Sequence, residues 1–86
     1  MNGMLPDGVT AIAPFAFAYS DVTAVTLPEG IRTIGEKAFY VADALREINF
    51  PEGLQTIGAY AFHKTALVEA LIPDSVTSYG QEAFSF

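Results

Sequence analysis

The sequence contains no cysteine and only four basic residues among its 86. Without cysteine the chain has no disulfide, no thiolate zinc site and no cysteine nucleophile. Ten acidic residues leave a net charge of −6, which makes nucleic acid and anionic membranes unsuitable partners. No apolar run approaches the ~18 residues that cross a bilayer, so no membrane insertion is expected. The first residues lack a basic region and a long apolar stretch, so no signal peptide is predicted.

What the chain does contain is an internal repeat. Four prolines lie 22, 23 and 22 residues apart, at Pro6, Pro28, Pro51 and Pro73. Each begins the same phrase, in which an acid, a glycine or serine and an apolar residue follow the proline and lead to an Ala-Phe pair. Internal periods of about 20 to 50 residues are typical of stacked repeats. We therefore predict one domain over residues 1–86, with repeats at approximately 5–26, 27–49, 50–71 and a partial 72–86.

Each repeat divides into short elements. Before the later prolines, apolar residues stand two apart, as in Val25 and Leu27, which predicts a strand with one buried face. Proline ends this strand and is predicted at the second position of a tight turn. The half-apolar segment that follows, such as residues 31–35, could form a second short strand. The segment around each Ala-Phe pair is too short for an α-helix and predicts one helical or 3₁₀ turn.

Stacking would bury apolar rows that a single repeat cannot hide, with strands about 4.8 Å apart. The phenylalanine of each Ala-Phe pair should then form a column. The glycines at 35, 58 and 80 share one position, which indicates a tight bend or a close approach between repeats. The predicted core consists of Ile12, Phe17, Val22, Val25, Leu27, Ile31, Ile34, Phe39, Leu45, Ile48, Phe50, Leu54, Ile57, Phe62, Leu67, Ile72, Val76 and Phe84.

These motifs resemble the BspA-like leucine-rich repeat of bacterial and protist surface proteins, whose pattern is close to L-x-x-I-x-[LI]-P-x-x-[VLI]-x-x-I-G-x-x-A-F. The resemblance covers residues 5–84. The cysteine that the family usually carries after Ala-Phe is missing, and so is the asparagine ladder of commoner leucine-rich repeats. The resemblance implies a cell-surface or secreted protein of the adhesin type. The sequence itself leaves the compartment unknown.

The predicted fold is an α/β solenoid. It is a short right-handed leucine-rich-repeat coil with one parallel β-sheet, short helical or 3₁₀ turns on the other side and little regular helix. The predicted function is non-catalytic interaction with a protein partner whose identity the sequence does not reveal. The alternative is a structural spacer or self-assembling repeat unit without a ligand of its own.

Two surfaces are candidates for contact. One is the outward side of the main strand row, because repeat proteins use such continuous surfaces to bind partners. The other is the uncapped apolar end of the array, together with the open strand edge at residues 67–72, which predicts a homo-oligomer. The candidate interaction surface comprises Ala24, Thr26, Arg46, Glu47, Asn49, Val68, Glu69 and Leu71. The candidate self-association residues are Tyr79, Phe84 and Phe86.

Catalytic chemistry has little support. His63 is the only histidine and is interpreted as a surface side chain. Ser20, Asp21 and His63 make a triad only on paper, because there is no nucleophile elbow. The other candidate serines, 75, 78 and 85, have no histidine at a predictable distance. No nucleotide-binding motif is present, so we predict no cofactor and no enzyme.

The acids that follow the four prolines recur once per repeat and would form a row on one edge. Such a row could bind a hard cation, since these take several carboxylates. The simpler interpretation, which we favour, is turn chemistry on a solvated edge. The row comprises Asp7, Glu29, Glu52 and Asp74.

Overall fold

The computed structural model describes residues 2–4, 8–68 and 72–85, with the backbone alone for 2–4. Pro6, Asp7, Glu69, Leu71 and Phe86 lie outside the described residues. The described chain is built from short strands and turns, without a helix. The strands are β1 (Asn2–Met4), β2 (Ala11–Ile12), β3 (Ala24–Thr26), β4 (Thr33–Ile34), β5 (Glu47–Ile48), β6 (Thr56–Ile57) and β7 (Ser78–Tyr79).

The strands form two parallel sheets, so the prediction of a single sheet is wrong. Sheet 1 has the order β1-β3-β5, and sheet 2 has the order β2-β4-β6-β7. Sheet 2 is made by the segment after each proline turn, which the sequence left open. A strand of two residues is too short to show an alternating pattern. Its evidence lies instead in bonds between repeats, such as the Gly35 N–H that donates to the Ile12 carbonyl at 2.8 Å.

The proline turn is confirmed, but its register is shifted by one residue. The Ile31 N–H donates to the Pro28 carbonyl at 3.3 Å, and the Leu54 N–H donates to the Pro51 carbonyl at 3.1 Å. Proline therefore occupies the first position of the turn and the acid occupies the second. Proline has no N–H to donate but keeps its carbonyl, and that carbonyl closes the turn.

The Ala-Phe segment consists of linked β-turns, so the prediction of a helical turn is wrong. In the first repeat, the Ala16 and Ala18 N–H groups donate to carbonyls three residues back. The intervening Phe17 N–H donates to the Ala38 carbonyl of the next repeat at 2.7 Å. Phe15 and Tyr19 accordingly have positive φ angles of 62° and 61°. A helix would keep these bonds within one segment, whereas here alternate N–H groups join neighbouring repeats.

The phenylalanine column is confirmed. The rings of Phe17 and Phe39 stack at 5.1 Å between centroids, those of Phe39 and Phe62 at 5.1 Å, and those of Phe62 and Phe84 at 5.7 Å. The predicted core residues that are fully buried are Ile12, Val22, Val25, Leu27, Ile31, Ile34, Phe39, Leu45, Leu54, Ile57, Phe62 and Leu67. Those packed against them but only partly buried are Phe17, Ile48, Phe50, Val76 and Phe84.

Ile72 is the predicted core residue that the structure places at the surface. It is 39% exposed, whereas Leu27 at the same position of an earlier repeat is only 2% exposed. Phe50 between them is partly buried. Burial falls along this row because a later repeat covers Leu27, whereas none of the described residues forms a repeat beyond Ile72.

The three aligned glycines mark a close approach between repeats rather than a tight bend. A Cβ atom on Gly58 would lie 2.4 Å from the Glu36 nitrogen, and one on Gly80 would lie 2.5 Å from the Ala59 nitrogen. None of the three has a positive φ. The glycine is therefore needed for space and not for an unusual backbone conformation. The right-handed winding of the array stays a prediction.

Candidate functional site

The described strand-row residues that the sequence singled out lie on β3 and β5 of sheet 1 or line the groove beside β5. Ala24 pairs with Glu47 in the register of β3 and β5. An open groove of about 540 Å³ follows β5 and is lined by residues 46–50 with Leu67 and Val68. Val68 is 92% exposed. We call this surface the strand face, and it comprises Ala24, Thr26, Arg46, Glu47, Asn49 and Val68.

Asn49 has a structural task on this face. Its amide nitrogen donates to the Leu27 carbonyl at 3.0 Å, and its amide oxygen accepts from the Leu27 N–H at 2.7 Å. The side chain thereby extends the ladder between β3 and β5 beyond the last paired residues. Both hydrogen-bonding groups of the amide are engaged by backbone, which reduces what Asn49 can offer a partner.

The predicted self-association residues lie at the end of the fourth repeat. Tyr79 is largely exposed, while Phe84 is partly buried beneath it with ring centroids 6.0 Å apart. Phe84 also stacks on Phe62 as the last ring of the column. This end of the array is therefore apolar, as the sequence indicates, and its role in association stays a prediction.

A second surface, which the sequence analysis missed, is formed by the linked turns. The Lys37 ammonium lies 5.2 Å from the Tyr40 ring centroid, 5.6 Å from that of Phe15 and 5.8 Å from that of Tyr60. Such distances are typical of cation–π contacts. Tyr19 meets the edge of Tyr40 at 5.7 Å. We call this surface the aromatic face, and it comprises Phe15, Tyr19, Lys37, Tyr40, Tyr60 and His63.

The repeat places these side chains on the outside. In the second and third repeats both residues of the Ala-Phe pair are buried without exposed surface, namely Ala38 with Phe39 and Ala61 with Phe62. The residue before the pair has a positive φ in every repeat, and Phe15, Lys37 and Tyr60 occupy that position. The side chains of left-handed residues lie at the surface, as those of Phe15 and Tyr19 do. The signal was available in the sequence, because aromatic residues flank three of the four Ala-Phe pairs.

His63 is part of the aromatic face and is half-buried, so this surface side chain is partly covered by its neighbours. Its ring lies parallel to Tyr40 at 5.4 Å and meets the edge of Tyr60 at 5.4 Å. Its Nδ1 is 2.5 Å from the Ser85 hydroxyl, so this serine does have a histidine partner. The two residues are 22 positions apart, which is the repeat length, and this spacing would have predicted the contact.

The Ser85 hydroxyl also donates to the Glu82 carbonyl at 3.2 Å. Because Ser85 lies in the fourth repeat and His63 in the third, the contact between them stabilises the fourth repeat on the third.

Other candidate chemistry finds no assembled site in the described part of the chain. Glu29, Glu52 and Asp74 are exposed, and the described residues contain no cluster of three or more His, Asp or Glu able to hold a metal ion. The Ser20 hydroxyl accepts from the Val22 N–H at 3.1 Å. The described residues contain no helix with the length and apolar character of a membrane span.

Parallel strands that recur every 22 or 23 residues define a repeat protein with a solenoid-like fold. The family model of the BspA type leucine-rich repeat region matches residues 4–86 in six copies. The chain therefore belongs to this leucine-rich repeat family. None of the curated proteins is similar enough to count as a relative. The family generally provides protein-interaction modules rather than enzymes.

Proposed function

We propose that this protein is a non-catalytic protein-interaction module that binds its partner through the aromatic face. The observation that carries the proposal is the cluster of rings around Lys37, in which Phe15 is 53% and Tyr19 is 71% exposed. Tyrosine and other aromatic side chains dominate the binding energy of protein interfaces. Contacts among the rings hold them in place before binding, which lowers the entropy lost on association.

The first test measures binding of purified chain to a panel of purified extracellular-matrix proteins. The variant Phe15→Asn/Tyr19→Asn removes the two most exposed rings of the aromatic face. Asparagine tolerates the positive φ of both positions, so the turn is retained. We expect binding to fall by about tenfold or more, as for loss of interface aromatic anchors.

The matched control changes the strand face with Glu47→Ala/Val68→Ser, at two exposed positions. The control should bind as the parent does, and circular dichroism should be unchanged for both variants. If only the control loses binding, the partner binds the strand face. That outcome would contradict the aromatic face as the binding surface.

We further propose that the protein acts in adhesion and is located at the cell surface or outside the cell. This proposal is supported by the family resemblance to bacterial surface proteins. The matrix panel tests it directly, because an adhesin binds at least one matrix protein through a defined face. Failure to bind any of them would remove adhesion.

The second candidate function is that of a structural spacer or self-assembling unit. The exposed apolar residues at the two ends of the array favour it, namely Phe15 at one end and Ile72 and Tyr79 at the other. Sedimentation velocity of the parent chain tests it, since self-assembly makes the average mass rise with concentration.

A further inference from the structure

The repeats are joined by backbone hydrogen bonds whose direction differs between the two sides of the array. In sheet 2 a later repeat donates to an earlier one, as Arg32 N–H does to the Thr10 carbonyl at 2.8 Å and Thr77 N–H to the Gln55 carbonyl at 3.0 Å. In the linked turns an earlier repeat donates to a later one, as Tyr60 N–H does to the Gln81 carbonyl at 2.9 Å. Each repeat thus has two chemically different edges.

The two ends of the array expose complementary edges as a result. By the same repeat pattern, the Thr77 carbonyl and the Glu82 N–H point beyond the fourth repeat. The Thr10 N–H and the Pro14 carbonyl point out of the first repeat. These four groups have no partner among the described residues. The Thr77 carbonyl of one copy can therefore accept from the Thr10 N–H of another copy. The Glu82 N–H can likewise donate to the Pro14 carbonyl.

The side chains of the first repeat also lack a cover. Ala38, Ala61 and Ala83 are buried, whereas Ala16 at the same position is exposed. Ala83 is buried although none of the described residues forms a later repeat. The preceding repeat must therefore cover this position. Ala16 is exposed because the described chain has no repeat on that side.

One residue of the first repeat does not fit a continued array. Ala13 stands where the later repeats have Gly35, Gly58 and Gly80. At those glycines a Cβ atom would lie 2.4 to 2.6 Å from backbone nitrogen of the preceding repeat. A repeat stacked in register against the first one would place the Ala13 methyl group in this position, against the backbone of residues 80 and 81. Such distances force the backbone apart.

We propose that the two ends carry complementary edges for head-to-tail stacking of a second copy of this chain, and that Ala13 blocks this stacking. The proposal is an alternative to the self-assembly candidate, because it predicts that the parent chain stays monomeric. Head-to-tail contact continues the register of both sheets, and such a heterologous contact forms open chains rather than closed dimers.

The test compares the sedimentation of the parent chain with that of Ala13→Gly. We expect the parent to stay at the monomer mass, while the average mass of Ala13→Gly at least doubles over about a 50-fold rise in concentration. Ala11→Gly is the matched control, because it introduces the same residue at an exposed position of the same repeat. It should sediment as the parent does.

A second change identifies the surface. Ala16→Lys in the Ala13→Gly background puts a long charged side chain on the uncovered edge of the first repeat, at a position that is exposed in the single chain. We expect it to return the variant to the monomer mass without changing its circular dichroism.

Three outcomes would overturn the proposal. The first is an Ala13→Gly variant that stays monomeric at every concentration. A monomeric parent by itself removes only the self-assembly candidate and leaves this proposal standing. The second is a parent that assembles as strongly as Ala13→Gly. This result would support self-assembly but show that Ala13 does not block it. The third is a closed dimer, which would exclude the head-to-tail geometry.

Discussion

The middle of the array and its two ends are built from the same residue types but differ in burial. Phe39 and Phe62 have no exposed surface, whereas Phe17 and Phe84 are partly buried. All four occupy one position of the repeat and stack in one column. Burial in this protein is therefore set by the neighbouring repeats, and not by the residue alone. This is the behaviour of an array in which each repeat is stabilised mainly by the contacts on either side.

The same contrast appears at the glycine position. In the second, third and fourth repeats the preceding repeat leaves no room for a Cβ atom. In the first repeat, where the described residues place nothing on that side, an alanine stands at the position and is exposed. Glycine is therefore required at this position because the preceding repeat packs against it.

The largest expected effect is at the centre of the phenylalanine column. Phe62→Ala should lower the free energy of unfolding by about 3–5 kcal/mol, because it leaves a cavity among fully packed rings. Phe17→Ala should cost only about 1–2 kcal/mol, because that ring is already partly in contact with water. Urea denaturation measures both values.

Phe62→Ala would consume most of the stability of a small domain, which is about 5 kcal/mol. Phe62→Leu and Phe17→Leu therefore provide a milder pair. Equal losses for the two leucine variants would contradict the difference between the middle and the ends.

The next largest effect concerns the close approach of the repeats. Gly58→Ala should cost about 1–3 kcal/mol, because its methyl group meets backbone that a side-chain rotation cannot move aside. Gly30→Ala is the control, since its Cβ would lie 3.6 Å from the Val9 carbonyl oxygen, an ordinary contact. The control should change stability by about 0.5 kcal/mol at most. Two variants with the same melting temperature would refute the packing of the turns.

Asn49 should have a moderate effect. Asn49→Ala leaves the N–H of the buried Leu27 without a partner, which costs about 1–2 kcal/mol. Glu47→Ala, at an exposed neighbouring position, is the control and should be nearly neutral. Thermal melts compare the two, and an Asn49→Ala melt identical to that of the control would show that the amide bonds do not stabilise the array.

The smallest effect is expected at a left-handed residue. Lys64 is exposed and has a φ of 58°, a conformation that costs a residue with a Cβ atom about 1 kcal/mol. Lys64→Gly relieves this cost but adds freedom to the unfolded chain, so a gain of about 0.5 kcal/mol is expected. Gln55→Gly, at a residue without positive φ, should instead lose about 0.5–1 kcal/mol. A loss in both variants would contradict the turn geometry.

The features that depend on the repeat length could be predicted from the sequence. The spacing of the prolines and of the Ala-Phe pairs predicts which residues stack, and the phenylalanine column follows from it. The exposure of Ile72 could not be predicted from the pattern alone. Its residue type is that of the core, and it is uncovered because none of the described residues forms a repeat beyond it.

Local geometry was less predictable than stacking. The linked turns depend on alternate N–H groups that reach the next repeat, and no residue type marks this choice, since Phe15, Lys37 and Tyr60 all take positive φ. The aromatic face is a different case, because its pattern appears only when residues one repeat apart are paired. The repeat length brings His63 to Ser85 and Tyr40 to His63.

The central claim is that equivalent residues of successive repeats lie side by side, and engineered cysteine pairs in this cysteine-free chain test it most directly. Ala24→Cys with Glu47→Cys joins two residues that are partners in the sheet register. Their separation should fall within the ~4.4–6.8 Å between Cα atoms that a disulfide spans. The account predicts nearly complete intramolecular oxidation of this pair and little oxidation of Thr26→Cys with Glu47→Cys, which is two residues out of register. Equal or reversed yields would contradict the stacking.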